Sequence, residues 1–297
     1  MQYLAEAAGK KSYTEKVRKD YQKASRAFKE KFWDEKSQFY AYAFNDRGEH
    51  VKEFSPWSAV GLMWNLGDPG KSEKTLQRLS SSELSTDWGV RSISNKSKYY
   101  QPLNYNYGAV WPFLNSWVAT AQFKHHFLLQ GYSTLMATVR HTFDNQLGTI
   151  NEVFSGSLNT WPEESVPHQG FSTAGVVLPL VRGLFGLEGN AIQKQVSFSP
   201  HFPANWKEVS ADNYQIGRAT FSFKYTRKKD KLFIDVFARK ADGYTLKLAP
   251  AFGIGTCIKS VTVNGQSIKY DLIESSQVVQ PAITVQLKNR KMHVEYT

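Results

Sequence analysis

The sequence predicts a mainly α-helical N-terminal part, residues 1–190, followed by an all-β sandwich domain, residues 191–297. In the first part apolar residues recur at helical spacing. In the second part apolar and polar residues alternate with the period of a half-buried strand. A hydrophobic content of 41% is that of a globular chain and not of a disordered one.

The first part reads as helices joined by long loops. Met1 to Gly9 is predicted to be the end of a helix that stops at glycine. The next helix is predicted to begin at the capping box Ser12-Tyr13-Thr14-Glu15. Its apolar residues form one stripe: Tyr13, Val17, Tyr21, Ala24, Phe28 and Phe32. A hairpin is expected from Phe39 to Gly48, and helices near 56–66, 70–80, 111–130, 133–147 and 172–186, the last with a kink or late start at Pro179.

The second part shows strand patterns separated by turn residues. The alternating segments are 195–199, 219–225, 232–237, 244–248, 260–263 and 283–287. Asn264-Gly265 predicts a tight hairpin turn, and Arg227 to Lys231 predicts another. Several short strands with such turns indicate a sandwich, and we expect the domain limit near Gly186 to Asn190.

Charge and cysteine content exclude some classes of function. The formal charge is +11, but no nucleic-acid motif accompanies the scattered Lys and Arg, so we interpret them as a solvated surface and expect no nucleic-acid partner. The single cysteine, Cys257, excludes an intrachain disulfide and is expected to be buried in an apolar strand. Residues 1–9 lack the pattern of a signal peptide or membrane span, so no membrane partner is expected and the compartment stays open.

An acidic loop is the strongest indication of chemistry. Asn151 to Gly156 places Glu152 at the tip of a loop between two apolar helical segments, with Trp161, His168 and Gln169 close behind it. A second aromatic-amide loop, Tyr105 to Pro112, also runs into a helix. Two such loops at one end of a helical array would form a cleft. A carboxylate in an aromatic cleft suggests glycosidic chemistry, which usually needs two carboxylates.

Five segments carry a family resemblance. Thr86-Asp87-Trp88-Gly89-Val90-Arg91 is similar to a "WG(I/V)R" loop, and Tyr105 to Pro112 is similar to "Y-H-N-G-x-V-W-P", with Asn106 and Tyr107 in place of His and Asn. Glu152 matches the acid of "PE-hydrophobic-x-x-G", with Asn151 replacing proline. The other two segments are Pro167 to Phe171, similar to "P-x-Q-A-W", and Ser199 to Trp206, similar to "P-H-L-P-x-x-W". Together they resemble the six-hairpin glycoside hydrolases with an (α/α)6 catalytic barrel, above all the glycogen-debranching, amylo-α-1,6-glucosidase-like enzymes.

The resemblance implies part of an enzyme. A barrel of six helical hairpins needs more helices than the roughly seven predicted here. The stretch Tyr3 to Gly9 resembles a mid-barrel segment of the family, so the chain is expected to carry the second half of the (α/α)6 toroid and the C-terminal β-domain. The general acid would then lie upstream, in an N-terminal half supplied in cis or in trans. The isolated chain is expected to be inactive, and poorly soluble or oligomeric because apolar helix faces lack partners.

The resemblance also implies roles for single residues. Glu152 would be the general base of an inverting hydrolase acting on α-glucosidic linkages; the alternative is an ordinary loop carboxylate or a helix cap. Glu163 and Glu164 are the runners-up. The expected substrate-binding residues are Trp88, Arg91, Tyr105, Tyr107, Trp111, Trp161, His168 and Gln169.

Several of these residues have a structural alternative. Trp111 could simply pack at a helix start, Arg91 could tie loops to Asp87, and His168 could be a buried hydrogen-bonded histidine. His125, His126 and His141 lack a partner Asp or Glu at metal-ligand spacing. We therefore expect no metal site and no cofactor.

Two other functions stay open. The chain could be a non-catalytic carbohydrate-binding or interaction module that keeps the aromatic cleft without the chemistry. It could also be one half of a naturally split glycosidase. In each case the partner is an oligosaccharide or polysaccharide.

Overall fold

The computed structural model describes residues 1–144, 146–287 and 291–297. The chain divides into two compact units, Met1–Gly183 and Leu184–Thr297. The division falls a few residues before the expected limit of 190, because Leu187–Asn190 forms a strand of the second unit. Within these described ranges no helix has the length and apolar character needed to cross a membrane.

The first unit consists of helices joined by long loops. Its α-helices are α1 Gln2–Ala7, α2 Lys11–Lys31, α3 Ala59–Met63, α4 Pro69–Leu79, α5 Pro112–Lys124, α6 Leu128–Arg140 and α7 Gly170–Leu178. Two 3-10 turns lie at Pro56–Ser58 and His141–Phe143, and a π-helical segment lies at Pro179–Leu184. Four short strands form two ladders: β1 Trp33–Asp34 with β2 Phe39–Tyr40, and β3 Ser85–Thr86 with β4 Gly89–Val90.

The junction of α1 and α2 corrects one prediction. α1 ends as predicted, with Gly9 at a positive φ of 66° behind it. The predicted capping box is wrong, because α2 begins at Lys11 and Ser12 lies inside its first turn. The backbone N–H and the hydroxyl of Thr14 both donate to the carbonyl oxygen of Lys10, at 2.8 and 3.0 Å. These two bonds start the helix before Ser12.

The apolar stripe of α2 is packed at its C-terminal end. Phe28 stacks on the ring of Tyr40 at 4.6 Å and packs with Phe32 against the main core of the unit. Towards the N-terminus the stripe is open to water: Tyr13 is 44% exposed and Tyr21 is 52% exposed. The N-terminal half of α2 thus presents apolar surface that no described residue covers fully.

The hairpin predicted around Asn45 forms only in part. The side chain of Asn45 accepts hydrogen bonds from the backbone N–H groups of Arg47 and Glu49, which fixes the turn. One bridge, Phe44 to His50, closes it. The preceding strand β2 pairs instead with β1.

The two helices predicted at 111–130 and 133–147 form, but the boundary between them lies earlier in the chain. α5 begins with Pro112 at its first position, where a missing N–H costs nothing. It ends at Lys124, because His126 takes a φ of 65° and turns the chain. Phe127 is then almost fully buried in the core, and α6 follows from Leu128. The turn makes α5 and α6 antiparallel neighbours.

The main core of the first unit holds the loop that carries Trp88 and Arg91. Leu62 of α3, Leu76 of α4 and Val118 of α5 are fully buried in one cluster with Val90 of β4. The backbone N–H of Val90 donates to the side chain of Asn115 at 2.8 Å. β4 is therefore fixed against α5, and the Trp88 loop with it.

The second unit contains the large sheets. Its strands are β5 Leu187–Asn190, β6 Gln195–Phe198, β7 Glu208–Ile216, β8 Ala219–Lys228, β9 Lys231–Arg239, β10 Thr245–Leu248, β11 Phe252–Gly253, β12 Val261–Val263, β13 Gln266–Ser267, β14 Asp271–Glu274, β15 Val278–Gln286 and β16 Lys291–Tyr296. One sheet has the order β11-β15-β10-β6-β5, with β14 also on β15, and the other β13-β12-β16-β9-β8-β7. β6 and β10 pair in parallel and the other neighbours are antiparallel.

The two sheets contact each other through aromatic side chains. Phe198 of β6 stacks on Phe223 of β8 with ring centroids 4.6 Å apart, and both are almost fully buried. The hydroxyl of Tyr244 donates to the carbonyl oxygen of Ile216 at 3.0 Å. Alternate residues of β8 and β9 are buried, as the period-two pattern predicts.

The predicted turns are confirmed, and the cysteine prediction is wrong. Asn264 and Gly265 both take positive φ, 50° and 82°, between β12 and β13. Lys229 and Asp230 connect β8 to β9. Cys257 is exposed, because the segment between β11 and β12 that contains it is a loop and not a strand.

A buried hydroxyl in β16 gives a stability prediction. Tyr296 is 1% exposed, its hydroxyl has no hydrogen-bond partner among the described residues, and burial raises the pKa of its phenol. Tyr296→Phe should stabilise the protein by about 1 kcal/mol, because an unsatisfied buried hydroxyl is removed. A urea unfolding curve of the variant would measure the gain.

The matched control is a tyrosine whose hydroxyl has a partner. The hydroxyl of Tyr225 accepts hydrogen bonds from Nε and Nη2 of Arg227, at 3.0 and 2.7 Å. Tyr225→Phe should destabilise the protein. If both variants lost stability equally, the hydroxyl of Tyr296 would have to be hydrogen-bonded.

Candidate active site

The Glu152 loop is fixed by backbone hydrogen bonds on both sides. Phe154 and Val110 exchange two N–H···O bonds, at 2.8 and 2.9 Å. The N–H of Glu152 donates to the carbonyl oxygen of Val166 at 2.9 Å. The residues on either side of Glu152 are buried while Glu152 itself is partly exposed. The carboxylate is thus held on a rigid loop and still reaches water.

The Tyr105 loop supplies the hydrogen-bond donor for this carboxylate. The hydroxyl of Tyr105 donates to Oε1 of Glu152 at 2.7 Å, across 47 residues of chain. Partial desolvation, then the hydrogen bond to Glu152 and its negative charge, raise the pKa of Tyr105 to about 12. Tyr105 therefore stays protonated and donates throughout the neutral range.

Trp111 holds Tyr105 in place. Its Nε1 donates to the backbone oxygen of Tyr105 at 2.8 Å, and the two rings meet edge to face at 4.3 Å. Trp111 is only 9% exposed, so little of its ring faces water. On the far side the exposed ring of Phe171 lies at 6.4 Å. These contacts favour the packing alternative for Trp111.

Trp88 and Arg91 tie their loop to the Glu152 loop. Nε1 of Trp88 donates to the carbonyl oxygen of Ser155 at 2.8 Å. Nε of Arg91 donates to the carbonyl oxygen of Gly156 at 2.6 Å, and its Nη1 donates to that of Ser82 at 2.9 Å. Both acceptors are backbone oxygens, so the guanidinium of Arg91 connects loops, which is the structural role considered for it above. The predicted partner Asp87 is not one of these acceptors.

Trp161, Tyr107 and Gln169 contact groups other than the Glu152 carboxylate. Trp161 is 41% exposed and meets Phe154 edge to face at 6.2 Å. Tyr107 is 50% exposed and pairs with Tyr99 at 6.2 Å. The side-chain oxygen of Gln169 accepts from the N–H of Gly170, and so caps α7.

The remaining candidates are open to water. His168 is exposed, so the buried-histidine alternative is wrong for it. Glu163 and Glu164 are also exposed. Hydrogen bonds thus join four of the expected residues to the Glu152 loop, directly or through one another: Tyr105, Trp111, Trp88 and Arg91.

His141 is a member of this region that the sequence patterns did not single out. Its Nδ1 lies 2.7 Å from Oδ2 of Asp144 and its Nε2 lies 2.9 Å from the carbonyl oxygen of Trp88. The ring stacks on Phe154 at 3.8 Å, and the residue is 2% exposed. The signal available in the sequence is the acid three residues after the histidine. Among the described residues no group of three or more His, Cys, Asp or Glu could hold a metal ion.

Gly156 is required where the two loops touch. A Cβ atom at this position would lie 2.1 Å from the carbonyl oxygen of Gly108. Gly156→Ala should therefore destabilise the protein by roughly 1–3 kcal/mol, because a backbone has to move. Urea unfolding would measure the loss.

Gly170→Ala is the control, since nothing lies within 4 Å of the added atom. Equal stability of the two variants would show that the loops do not approach this closely.

Comparison with known families identifies the first unit. Residues 1–169 match the family model of the mannosylglycerate hydrolase MGH1-like glycoside hydrolase domain. This chain belongs to that family. The MGH1-like match includes Trp88, Tyr105, His141 and Glu152, and ends at Gln169 directly before α7. Membership in the six-hairpin (α/α)6 glycosidases, expected from the motifs, is confirmed; the debranching subfamily stays a prediction.

Three solved structures are similar to this chain at low sequence identity. An alpha-L-rhamnosidase from Dictyoglumus thermophilum is 13% identical, with 99% of this chain and 30% of that chain covered and a TM-score of 0.61. The GH63 mannosylglycerate hydrolase from Thermus thermophilus is 16% identical, with 50% and 34% covered and a TM-score of 0.41. Neutral trehalase from Saccharomyces cerevisiae is 14% identical, with 52% and 28% covered and a TM-score of 0.41.

This MGH1-like chain spans about a third of the length of those structures. The likeness to the rhamnosidase is one of fold. A sequence search of curated proteins gives no match.

Proposed function

We propose that the chain is the C-terminal portion of an inverting glycoside hydrolase in which Glu152 is the general base. In an inverting reaction one carboxylate takes a proton from water as the water attacks the anomeric carbon. An acid on the opposite face protonates the leaving oxygen, and the two carboxyl groups stand roughly 6.5–9.5 Å apart.

The observation that carries this proposal is the hydrogen bond from Tyr105 to Glu152. It orients one oxygen of the carboxylate, so that the side chain is held in one position, as a general base requires. The second oxygen is left for a water molecule. Asn151 and Val153 are buried on either side, so the loop cannot swing freely.

The general acid is proposed to lie in an N-terminal half of the barrel. Among the described side chains the phenol of Tyr105 is hydrogen-bonded to Glu152, and no second carboxylate is. The chain covers 30% of the rhamnosidase structure that shares its fold, which supports a larger whole. In this proposal the first unit is the second half of the (α/α)6 toroid, the second unit is the C-terminal β-domain of the enzyme, and the chain alone is inactive.

The substrate is proposed to be an α-glycoside. The resemblance to debranching enzymes favours an α-glucosidic linkage in an oligosaccharide or polysaccharide. The family description names mannosylglycerate, which makes a mannosyl substrate the first alternative. Trp161 and Tyr107, both about half exposed, would stack on sugar rings, and His168 and Gln169 would line the rim.

The experiment is turnover by the chain combined with its N-terminal half, with maltose, isomaltose and mannosylglycerate as substrates. Proton NMR of the first-formed product shows the anomer. An α-linked substrate should release the β-anomer. Release of the α-anomer would overturn inversion, and no turnover of any of the three would overturn the substrate proposal.

The exposed apolar residues of α2 support an N-terminal half of the barrel that would cover them. They also predict that the chain alone associates with other copies of itself. Tyr13 and Tyr21 present apolar surface that further barrel helices would cover. Alone, the chain should run as oligomers in size-exclusion chromatography with light scattering. Tyr13→Lys with Tyr21→Lys should shift it towards the monomer, whereas Tyr99→Lys, at an exposed tyrosine elsewhere, should not. A monodisperse wild-type monomer with a sharp melt would contradict this.

A carbohydrate-binding module is the second candidate, favoured by the single carboxylate and the exposed aromatic rings of Trp161 and Tyr107. It predicts calorimetric binding of sugar by the chain alone and no hydrolysis after the N-terminal half is added. A naturally split enzyme would instead copurify with that half as a separate chain.

A further inference from the structure

We infer that His141 is a positioning residue that holds the Glu152 loop and the Trp88 loop together: Nε2 donates to Trp88, the ring stacks on Phe154, and Nδ1 donates to Asp144, which holds the ring in place. His141 is not among the expected site residues, and the inference assigns it a role in positioning them. It rests on the proposed function only for the role of Glu152.

The ring of His141 lies between two acceptors. Nδ1 is 2.7 Å from a carboxylate oxygen of Asp144, and Nε2 is 2.9 Å from the backbone oxygen of Trp88. A carboxylate and a carbonyl oxygen cannot donate. Both bonds therefore form together only when each nitrogen carries a hydrogen.

The surroundings compensate the positive charge of such a ring. Asp144 supplies an opposite charge in direct contact, with about a third of its side chain still open to water. The face of Phe154 lies parallel to the ring at 3.8 Å, an arrangement that attracts a cation. With the residue 2% exposed, an unpaired charge here would be costly, and each of these contacts lowers that cost.

Two routes lead from this ring to the candidate base. Through Trp88 the ring fixes an indole whose Nε1 donates to Ser155, three residues beyond Glu152. Through Phe154 it supports the residue that exchanges two backbone bonds with Val110. Val110 precedes Trp111, which holds Tyr105. His141 thus contacts Trp88 and Phe154, and both are connected to the loops in which Tyr105 is hydrogen-bonded to Glu152.

Hydrogen exchange measured by NMR at pH 6.5 tests the inference without substrate. The probes are the indole N–H of Trp88 and the backbone N–H groups of Val110 and Phe154. His141→Ala should speed exchange at all three by about tenfold or more, because local opening becomes easier. The amide of Val118, in the buried core of the same unit, reports unfolding of that unit as a whole and should not change.

Chemical rescue separates positioning from simple packing. Imidazole should enter the space left in His141→Ala and restore slow exchange, as small molecules do in engineered cavities. 1-Methylimidazole fills the same space but has one blocked nitrogen, and it should not restore it. Equal rescue by the two compounds would overturn the requirement for two donating nitrogens.

Two more variants keep the test decisive. Asp144→Asn leaves the ring in place and should also speed exchange at the three probes; if His141→Ala does not fold, unchanged exchange in Asp144→Asn overturns the inference. Thr142→Ala removes a neighbouring hydrogen bond to Val139 and should leave the probes unchanged. If Glu152 proves not to be the base, turnover shows it, and the exchange result is unaffected.

Discussion

Glu152→Gln should lower hydrolysis by at least about 100-fold in the enzyme completed with its N-terminal half. A general base contributes roughly 10²- to 10⁴-fold, and an amide cannot take a proton from water. The amide oxygen of the introduced side chain can still accept the hydrogen bond of Tyr105, so the loop should keep its place. The measurement is kcat on the best substrate of the panel, with a melting curve to show that the fold is intact.

The control for this variant is Glu163→Gln. Glu163 is exposed and follows the same loop, but it has no hydrogen bond to Tyr105. Its replacement should leave kcat within about twofold, as for a surface substitution. Turnover retained in Glu152→Gln and lost in Glu163→Gln would reassign the base to the runner-up.

Tyr105→Phe should lower kcat by about 10- to 100-fold and change KM much less. A hydrogen bond to a charged group is worth about 1.5–3 kcal/mol, and here it orients the base and not the substrate. Tyr99→Phe, at an exposed tyrosine outside the expected site, should change neither kcat nor KM by more than about twofold.

The same variant changes the response to alkali. The pKa of Tyr105 is raised from 10.0 to about 12 in the folded protein, so folding favours the protonated phenol. The stability that this adds is present below about pH 10 and is lost as the pH rises towards 12. Tyr105→Phe should remove that part of the alkaline loss of stability. An identical pH dependence in the variant would show that the phenol is not bonded to Glu152.

The sequence predicts elements where local chemistry decides them. The strands alternate as predicted, and Asn264-Gly265 forms its turn, because two positive φ values suit those residues. The predicted start of α2 is wrong, because a backbone carbonyl, that of Lys10, takes the place of the Ser12 cap. The predicted burial of Cys257 is wrong, because the apolar run that contains it forms a loop and not a strand.

In the candidate site, too, the sequence predicts the residues but not the contacts between distant segments. Motif residues single out Glu152 and Tyr105, but their hydrogen bond spans 47 residues and depends on how two loops pair. His141 is considered from the sequence only to argue against a metal site, and one of its two hydrogen-bond partners is the backbone oxygen of Trp88. Every residue has a backbone carbonyl oxygen, so the residue type does not show which one accepts a hydrogen bond. Contacts of this kind can be identified only from the structure.

The bridge between Val110 and Phe154 limits which insertions and deletions the sequence can accept in evolution. Side chains alternate along an extended segment, so the bridge sets which residues of the loop point inward. A substitution beside Glu152 leaves that alternation as it is. Inserting or deleting one residue between Glu152 and Phe154 would turn the carboxylate away from Tyr105. The spacing of two residues from acid to bridge should therefore tolerate no change in length, even where the neighbouring residues vary.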